Sequence, residues 1–261
     1  MEPVAIVTGA SSGIGLAVSR QLLNLGYRVY GISRRGAGAQ GVEQLTADVA
    51  EAEAVEAAVQ QIAAREGRID LLVNNAGMGI SGPVEFTDAQ DAKRIMDVNF
   101  LGQFYCARAV LPVMRSQGGG RIVCTSSVAA PIAIPYQAFY SASKAAVNAL
   151  ALALRNEARD FGIQVCAVQP GDAATGFTQA RKKDSRGEAV YPKARKAVVA
   201  MERDEQAGMS PDQVARVIVK AATCRSPRPL YTVGGTYRLL AALYKFLPAR
   251  FAYFLVGKLY G

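Results

Sequence analysis

The chain has 261 residues, 51% of them hydrophobic, and 30 Lys and Arg against 21 Asp and Glu give a formal net charge of +9. That apolar content excludes an intrinsically disordered chain, and the length suits one α/β domain spanning 1–261. With no His and no Cys-x-x-Cys pair a metal site is not expected, and a basic excess without a zinc-finger spacing or an aromatic-interleaved stripe gives no reason to expect nucleic-acid binding.

Val4–Thr8 is a β-branched run that ends in Gly9, Ser11, Ser12, Gly13 and Gly15, after which Ile14, Leu16, Ala17, Leu22 and Leu23 recur with helical spacing. This reads as strand, tight turn, helix. A second strand is expected at Arg28–Ser33, ending in Arg34 and Arg35, and a third at 42–46 before Asp48. An Ala- and Glu-rich helix at 50–66 precedes a strand at 69–74 that runs into Asn75, Ala76 and Gly77. A polar segment follows, then a helix at 97–115 despite Pro112, a strand at 121–125, a long helix at 138–160 and a strand at 163–169 stopped by Pro170 and Gly171. Repeated strand–helix alternation predicts a doubly wound, Rossmann-type parallel sheet with helices on both faces, and ligands bind such sheets beyond the carboxyl ends of the strands.

The rhythm breaks at 172–209, a polar stretch with eight Lys and Arg between 181 and 203. It is either a solvated basic insertion or a segment that covers the substrate. Ser210 followed by Pro211 starts a helix to 224, and Leu230–Val233 is a final strand. The extension 236–261 is apolar but broken by Arg238, Lys245, Pro248, Arg250 and Lys258, so a membrane span is not expected. Its Leu239, Leu240, Leu243, Leu247, Phe251, Phe254, Leu255 and Leu259 can line a substrate mouth, a subunit contact or a peripheral membrane surface. Cys106, Cys124, Cys166 and Cys224 are widely spaced, three of them in apolar runs, and read as reduced core residues. The first residues enter a strand with no cationic start and apolar core of a leader, so a cytoplasmic location is expected, with membrane association through the C-terminal segment left open.

Gly9, Gly13 and Gly15 follow a G-x-x-x-G-x-G spacing between strand and helix, where missing side chains let backbone N–H groups approach a pyrophosphate at a helix N-terminus. At the end of the second strand an acid would accept the adenosine ribose 2′-hydroxyl, whereas cations would hold a 2′-phosphate. Arg34 and Arg35 stand there with no acid, which favours NADP(H) unless both guanidiniums simply face solvent. Asp48 can accept from an adenine amino group or cap the following helix.

Tyr140 and Lys144 are four apart at the start of a helix and share a face. A neighbouring ammonium favours tyrosinate, which predicts a phenol pKa below its usual value near 10. Ser127, just beyond a strand, is positioned to donate to a substrate oxygen.

These blocks together resemble the classical short-chain dehydrogenase/reductase family. The likeness runs through Thr8-Gly9-Ala10-Ser11-Ser12-Gly13-Ile14-Gly15, Asn74-Asn75-Ala76-Gly77, Asn99, Ser127, Tyr140-x-x-x-Lys144 and Pro170-Gly171 followed by Thr175, in family order. The resemblance implies a seven-stranded parallel sheet, nicotinamide-dependent carbonyl–alcohol redox and a homodimer or homotetramer. It implies that Ser127 orients the substrate oxygen, Tyr140 transfers the proton, Lys144 binds the nicotinamide ribose and lowers the tyrosine pKa, and Asn99 holds a water linked to Lys144. It further implies cofactor contacts from Gly9, Ser11, Ser12, Gly13, Ile14, Gly15, Arg34, Arg35, Asp48, Val49, Asn75, Ala76, Gly77, Pro170, Gly171 and Thr175, as well as from Tyr140 and Lys144. Asn74 would shape the same region. Ala129 and Ala130 stand where relatives often carry Gly, and Ser12 lacks the cation of many NADP-preferring members. The hydrophobic extension looks like those of steroid-, retinoid- or lipid-handling members.

The expectation is therefore an NADP(H)-dependent oxidoreductase acting on a small lipophilic carbonyl or alcohol. Two other classes stay open: a dinucleotide-binding regulatory or scaffold protein, and a nicotinamide-assisted epimerase or dehydratase.

Overall fold

The computed structural model describes residues 2–36 and 38–260, with the side chains of Leu259 and Tyr260 outside that description, so the expectation for Leu259 lies outside the described residues. The first half of the chain runs β1 (Val4–Thr8), α1 (Gly13–Asn24), β2 (Arg28–Ser33), β3 (Glu43–Thr46), α2 (Ala52–Glu66), β4 (Leu71–Asn74), β5 (Ile80–Ser81), α3 (Ala89–Met96) and α4 (Gly102–Ser116). The second half runs β6 (Gly120–Thr125), α5 (Ala138–Glu157), β7 (Ile163–Pro170), α6 (Phe177–Ala180), β8 (Lys182–Lys183), α7 (Ala194–Gln206), α8 (Pro211–Thr223), β9 (Leu230–Val233), α9 (Gly235–Phe246) and α10 (Ala249–Tyr260).

Seven strands form one parallel sheet in the order β3-β2-β1-β4-β6-β7-β9. The chain winds outward from β1 to β3, returns to β4 on the other side of β1, and so creates the switch point at which a doubly wound sheet binds ligands. Alternating side chains sort to the two faces. Ile6, Ile32, Leu72, Ile122 and Val165 point toward α2, α4 and α5, meeting Val59, Ile62, Val110, Met114 and Val147. Val7, Val29, Val73, Val123 and Val168 point the other way, onto Val18 and Leu22 of α1 and Val214 and Ile218 of α8. Because both faces are covered, β1 and β4 are buried throughout, which is why they read as continuous apolar runs rather than alternating ones. Cys106, Cys124 and Cys166 lie in these layers, and burial pushes the Cys106 and Cys124 thiols up to about 12, which leaves them unreactive.

Helix α8 starts as its sequence predicts. Ser210 Oγ accepts from Gln213 N at 3.2 Å and Gln213 Oε1 accepts from Ser210 N at 2.8 Å, a reciprocal cap followed by Pro211.

The helix expected at 97–115 differs. Helical structure begins at Ala89, in the segment read as merely polar, and passes through a π-helical turn at Asp97–Leu101 before α4. The first turns escape a periodicity reading because Ile95 is the one buried residue of α3. The wider turn matters because it carries Asn99.

The segment 172–209 leaves the sheet and returns to the same place. Met209 N donates to Asp172 O at 2.9 Å and Ala174 N to Met209 O at 2.9 Å, closing its base. Between these points β8 pairs with β5, Ile80 opposite Lys182 and Ser81 opposite Lys183, which ties the excursion to the loop after β4. The segment is thereby held over the carboxyl ends of the strands rather than left in solvent.

Candidate active site

A cleft of about 940 Å³ opens at the carboxyl ends of β1, β2, β4, β6 and β7, a size suited to a cofactor with a substrate. Its floor is the turn after β1. Gly9 and Gly13 adopt φ of +69° and +53°, values that favour glycine. A Cβ on Gly15 would lie 2.3 Å from Gly9 O and 2.7 Å from Asn75 Nδ2, so only hydrogen fits there. Thr8 Oγ1 accepts from Asn75 N at 2.9 Å and Ala76 N at 3.0 Å, and Asn75 Nδ2 donates to Thr8 O at 3.1 Å. The two loops at the switch point are thus bolted together, leaving a side-chain-free cradle at the start of α1.

That cradle fits a pyrophosphate. Ser12 caps α1 through its backbone while its hydroxyl makes no cap bond, and Ser11, Ser12, Gly13 and Ile14 line the cleft. Thr175 stands across from it, since a Cβ on Gly13 would lie 3.4 Å from the Thr175 Cβ. Arg34 and Arg35 are exposed on the cleft rim beyond β2. Val49, Gly77, Pro170 and Gly171 also line the walls. Asp48 lines the cleft and does not cap α2, whose N-cap is Glu51; its carboxylate accepts from Ala50 N at 3.0 Å, a local turn bond, and from Arg94 Nη2 at 2.5 Å. Burial pushes this carboxyl up, but the Ala50 N–H, Arg94 and Arg34 outweigh it and hold Asp48 below its usual range.

Ser127, Tyr140 and Lys144 line the same cleft. Ser127 follows β6, and its Oγ accepts from Ala129 N at 3.1 Å. Lys144 is 4% exposed and donates from Nζ to Thr125 O at 3.0 Å, with Nζ 5.8 Å from the Tyr140 ring centroid. Burial pushes this lysine down from 10.5 to about 8.

The expected depression of the Tyr140 pKa is overturned. Burial pushes the phenol up to about 12, and although a Ser127 hydrogen bond and Arg181 pull it down, Glu205 and Asp172 push it further up. Desolvation is the largest influence, and Lys144, bonded through Nζ to Thr125 O, does not offset it.

Asn99 is fully buried and lies behind the wall. Its Oδ1 accepts from Met78 N at 2.7 Å, and its Nδ2 donates to Met78 O at 2.9 Å and Ser143 Oγ at 3.0 Å. These bonds brace Asn99 against the loop after β4 and, through Ser143 Oγ donating to Tyr140 O at 2.7 Å, against the turn that carries Tyr140. Asn74 is also behind the wall, donating from Nδ2 to Gln103 O at 2.9 Å.

Three neighbours of Tyr140 escaped the sequence reading as site residues. Phe177 packs its ring 5.7 Å from that of Tyr140, and the Arg181 guanidinium lies 5.6 Å from the Phe177 centroid. Arg181, itself 4% exposed, pairs with Glu205, which also accepts from Thr178 Oγ1 at 2.7 Å. All three come from 172–209, where the only signal was an excess of charge in a segment expected near a strand end.

The family model for short chain dehydrogenase matches residues 3–186. The chain is 38% identical to a 3-ketodihydrosphingosine reductase of Bacteroides thetaiotaomicron over 93% of its own length and 92% of that protein's. Its fold is similar to that of ElxO with NADP bound, at 26% identity, a TM-score of 0.77 and coverage of 92% of this chain and 100% of the other. It is similar too to a short-chain dehydrogenase/reductase from Burkholderia phymatum in complex with NAD, at 25% identity, a TM-score of 0.81 and coverage of 94% and 93%. Glycine cradle, clustered Ser, Tyr and Lys, and family match agree: the chain belongs to the short-chain dehydrogenase family of dinucleotide-binding oxidoreductases.

Proposed function

We propose that this protein is an NADP(H)-dependent reductase of ketones on long-chain lipophilic molecules, and that Ser127, Tyr140 and Lys144 carry its chemistry. The observation that carries the reading is that these three side chains line the same cleft as the glycine cradle. The turn residues Ser11 to Ile14 and Thr175 would hold the pyrophosphate, and Arg34 and Arg35 the 2′-phosphate, for which no acid competes at the end of β2. When bound, the nicotinamide supplies or accepts the hydride.

Ser127 donates to the substrate carbonyl oxygen and holds it beside the Tyr140 phenol. Tyr140 is the proton donor to the developing alkoxide, and burial, which pushes its phenol up to about 12, favours the protonated form that this role needs. Lys144 supplies a fixed donor beneath the ring, and Asn99 positions the Tyr140 turn through Ser143.

Two features support the substrate class. Val128, Ala129, Ile134, Phe177 and Met201 make the wall around Tyr140 apolar, suited to a hydrocarbon chain. Asp172 and Asp204 line the same cleft beside the Arg181–Glu205 pair, a setting that disfavours an anionic substituent and tolerates an ammonium. A long-chain 2-amino ketone combines both demands, and 3-ketodihydrosphingosine, named for the 38% identical relative, is such a compound.

The test is oxidation of NADPH and NADH by purified protein with 3-ketodihydrosphingosine, an amine-free ketone of equal chain length, a steroid ketone and retinal. The amino ketone with NADPH is expected to react fastest. Protein that binds dinucleotide yet oxidises it with none of these would refute the proposal, and equal turnover of the amine-free ketone would refute the role given to the carboxylates.

A further inference from the structure

The C-terminal pair of helices carries an apolar surface that the fold does not use. Leu239, Leu240, Leu243 and Phe246 recur at helical spacing along α9, and Phe251, Phe254 and Leu255 do so along α10, all with at least 38% of their surface exposed. Phe246, beside the turn between the helices, is 87% exposed. Packing of the hairpin uses other positions. On α10, Ala252 and Val256 are the buried pair, and on α9 Tyr237, Ala241 and Tyr244 form the half-buried side. The exposed set is thus an additional apolar face, of a kind that marks an interaction surface.

Charge selects what covers it. From residue 235 onward the chain has Arg238, Lys245, Arg250 and Lys258 and no Asp or Glu, and all four cations are exposed. Two copies of such a hairpin placed face to face would bring like charges together, whereas an anionic lipid surface attracts each cation while its interior accepts the Leu and Phe side chains. Each helix has 12 residues and is therefore about 18 Å long. The hydrocarbon core of a bilayer is about 30 Å thick, so these helices can lie in its surface but not cross it.

We infer that α9 and α10 form a docking hairpin that lies in the plane of an anionic phospholipid bilayer, with Leu239, Leu243, Phe246, Phe251 and Phe254 in the acyl boundary and the four cations among the headgroups. The hairpin begins at the wall of the cleft. Tyr237 donates its hydroxyl to the Asp172 carboxylate, and its ring occupies the space where Gly171 has no side chain, since a Cβ there would lie 2.2 Å from it. Gly171 and Asp172 line the cleft, so docking brings the lipid surface close to the site. Direct delivery of a lipophilic substrate from the bilayer rests on the function proposed above, whereas docking itself does not.

The chain has no Trp, so Phe246→Trp and Phe254→Trp each introduce a single fluorophore at the face in question. With the full-length protein and vesicles of phosphatidylcholine containing phosphatidylglycerol, both reporters are expected to shift to the blue and to be quenched by brominated acyl chains. Partitioning should be at least roughly tenfold stronger than onto pure phosphatidylcholine and should weaken with salt. The double variant Phe246→Glu/Phe254→Glu should lose at least roughly tenfold in vesicle binding while keeping its thermal shift with NADP, which reports an intact fold. Lys245→Glu/Arg250→Glu should abolish the preference for anionic vesicles. Unshifted emission with both vesicle types, or wild-type binding by the double Glu variant, would overturn the inference. So would conversion of an oligomer to a monomer by the Glu variant with vesicle binding unchanged, since the face would then be a contact between copies. Because the readout is binding, failure here leaves the proposed reaction standing, and an inactive protein that still docks would sink only the reaction.

Discussion

Replacing Lys144 by Met should make the protein more stable and less active. The ammonium is 4% exposed and has no carboxylate partner among the described residues, and burial lowers its pKa from 10.5 to about 8. At about 1.4 kcal/mol per tenfold change in proton affinity, holding it charged in the fold costs about 3 kcal/mol. Its bond to Thr125 O returns part of that, about 1 kcal/mol, and Gln103 Nε2 still donates to the same oxygen at 3.1 Å when the lysine is gone. Met fills most of the vacated volume, so a net gain of about 2 kcal/mol and a rise in Tm of about 4 to 8 °C are expected at pH 7. The sign follows from the lowered pKa. The cost is fully present below about 8 and disappears as pH rises toward 10.5, where the unfolded lysine also gives up its proton. Thermal unfolding of both proteins at pH 7 and pH 10, followed by circular dichroism, should show the advantage of Met shrinking at the higher pH. A variant less stable than the wild type at pH 7, or an advantage independent of pH, would refute the reasoning.

Tyr140→Phe should lower turnover by about 10² to 10⁴-fold while leaving the thermal shift with NADP intact; loss of both would mean a structural role. Neutralising Arg34 and Arg35 together should lower the NADPH to NADH ratio of kcat/KM at least roughly tenfold, and an unchanged ratio would remove them from the phosphate site. Gly15→Ala forces a methyl group against Gly9 O and Asn75, so denaturant unfolding should show a loss of about 1 to 3 kcal/mol together with weaker dinucleotide binding. Glu205→Ala leaves the buried Arg181 guanidinium without its counter-charge, with an expected loss of about 3 to 5 kcal/mol; Glu205→Ala with Arg181→Met should recover most of it, and denaturant titration of both checks this.

The parts of the site that were legible in the sequence are those built within one strand–turn–helix unit. Gly9, Gly13 and Gly15 are legible because a backbone with φ above zero and a 2.3 Å approach tolerates only glycine, a local demand visible in residue identity. Tyr140 and Lys144 are legible because four residues of helix bring them to one face. The π-helical turn at Asp97–Leu101 was not, since its pattern differs little from that of an α-helix and its consequence, the bonds from Asn99 to Met78 and Ser143, joins segments far apart in the chain.

What the amino-acid sequence determined by itself was the alternation of strand and helix, the parallel sheet, and the residues that face its carboxyl edge, because each follows from short-range periodicity, turn chemistry and capping. Tertiary structure alone decided what surrounds them. The ionisation of Tyr140 turned on burial against Phe177 and Ser127 rather than on its spacing from Lys144, because desolvation sums over every neighbour while spacing reports one. Likewise the basic segment 172–209 became a wall of the cleft through its pairing with β5, and the C-terminal helices kept an apolar face outward, because which surfaces are covered depends on how distant elements pack and not on the order in which they are joined.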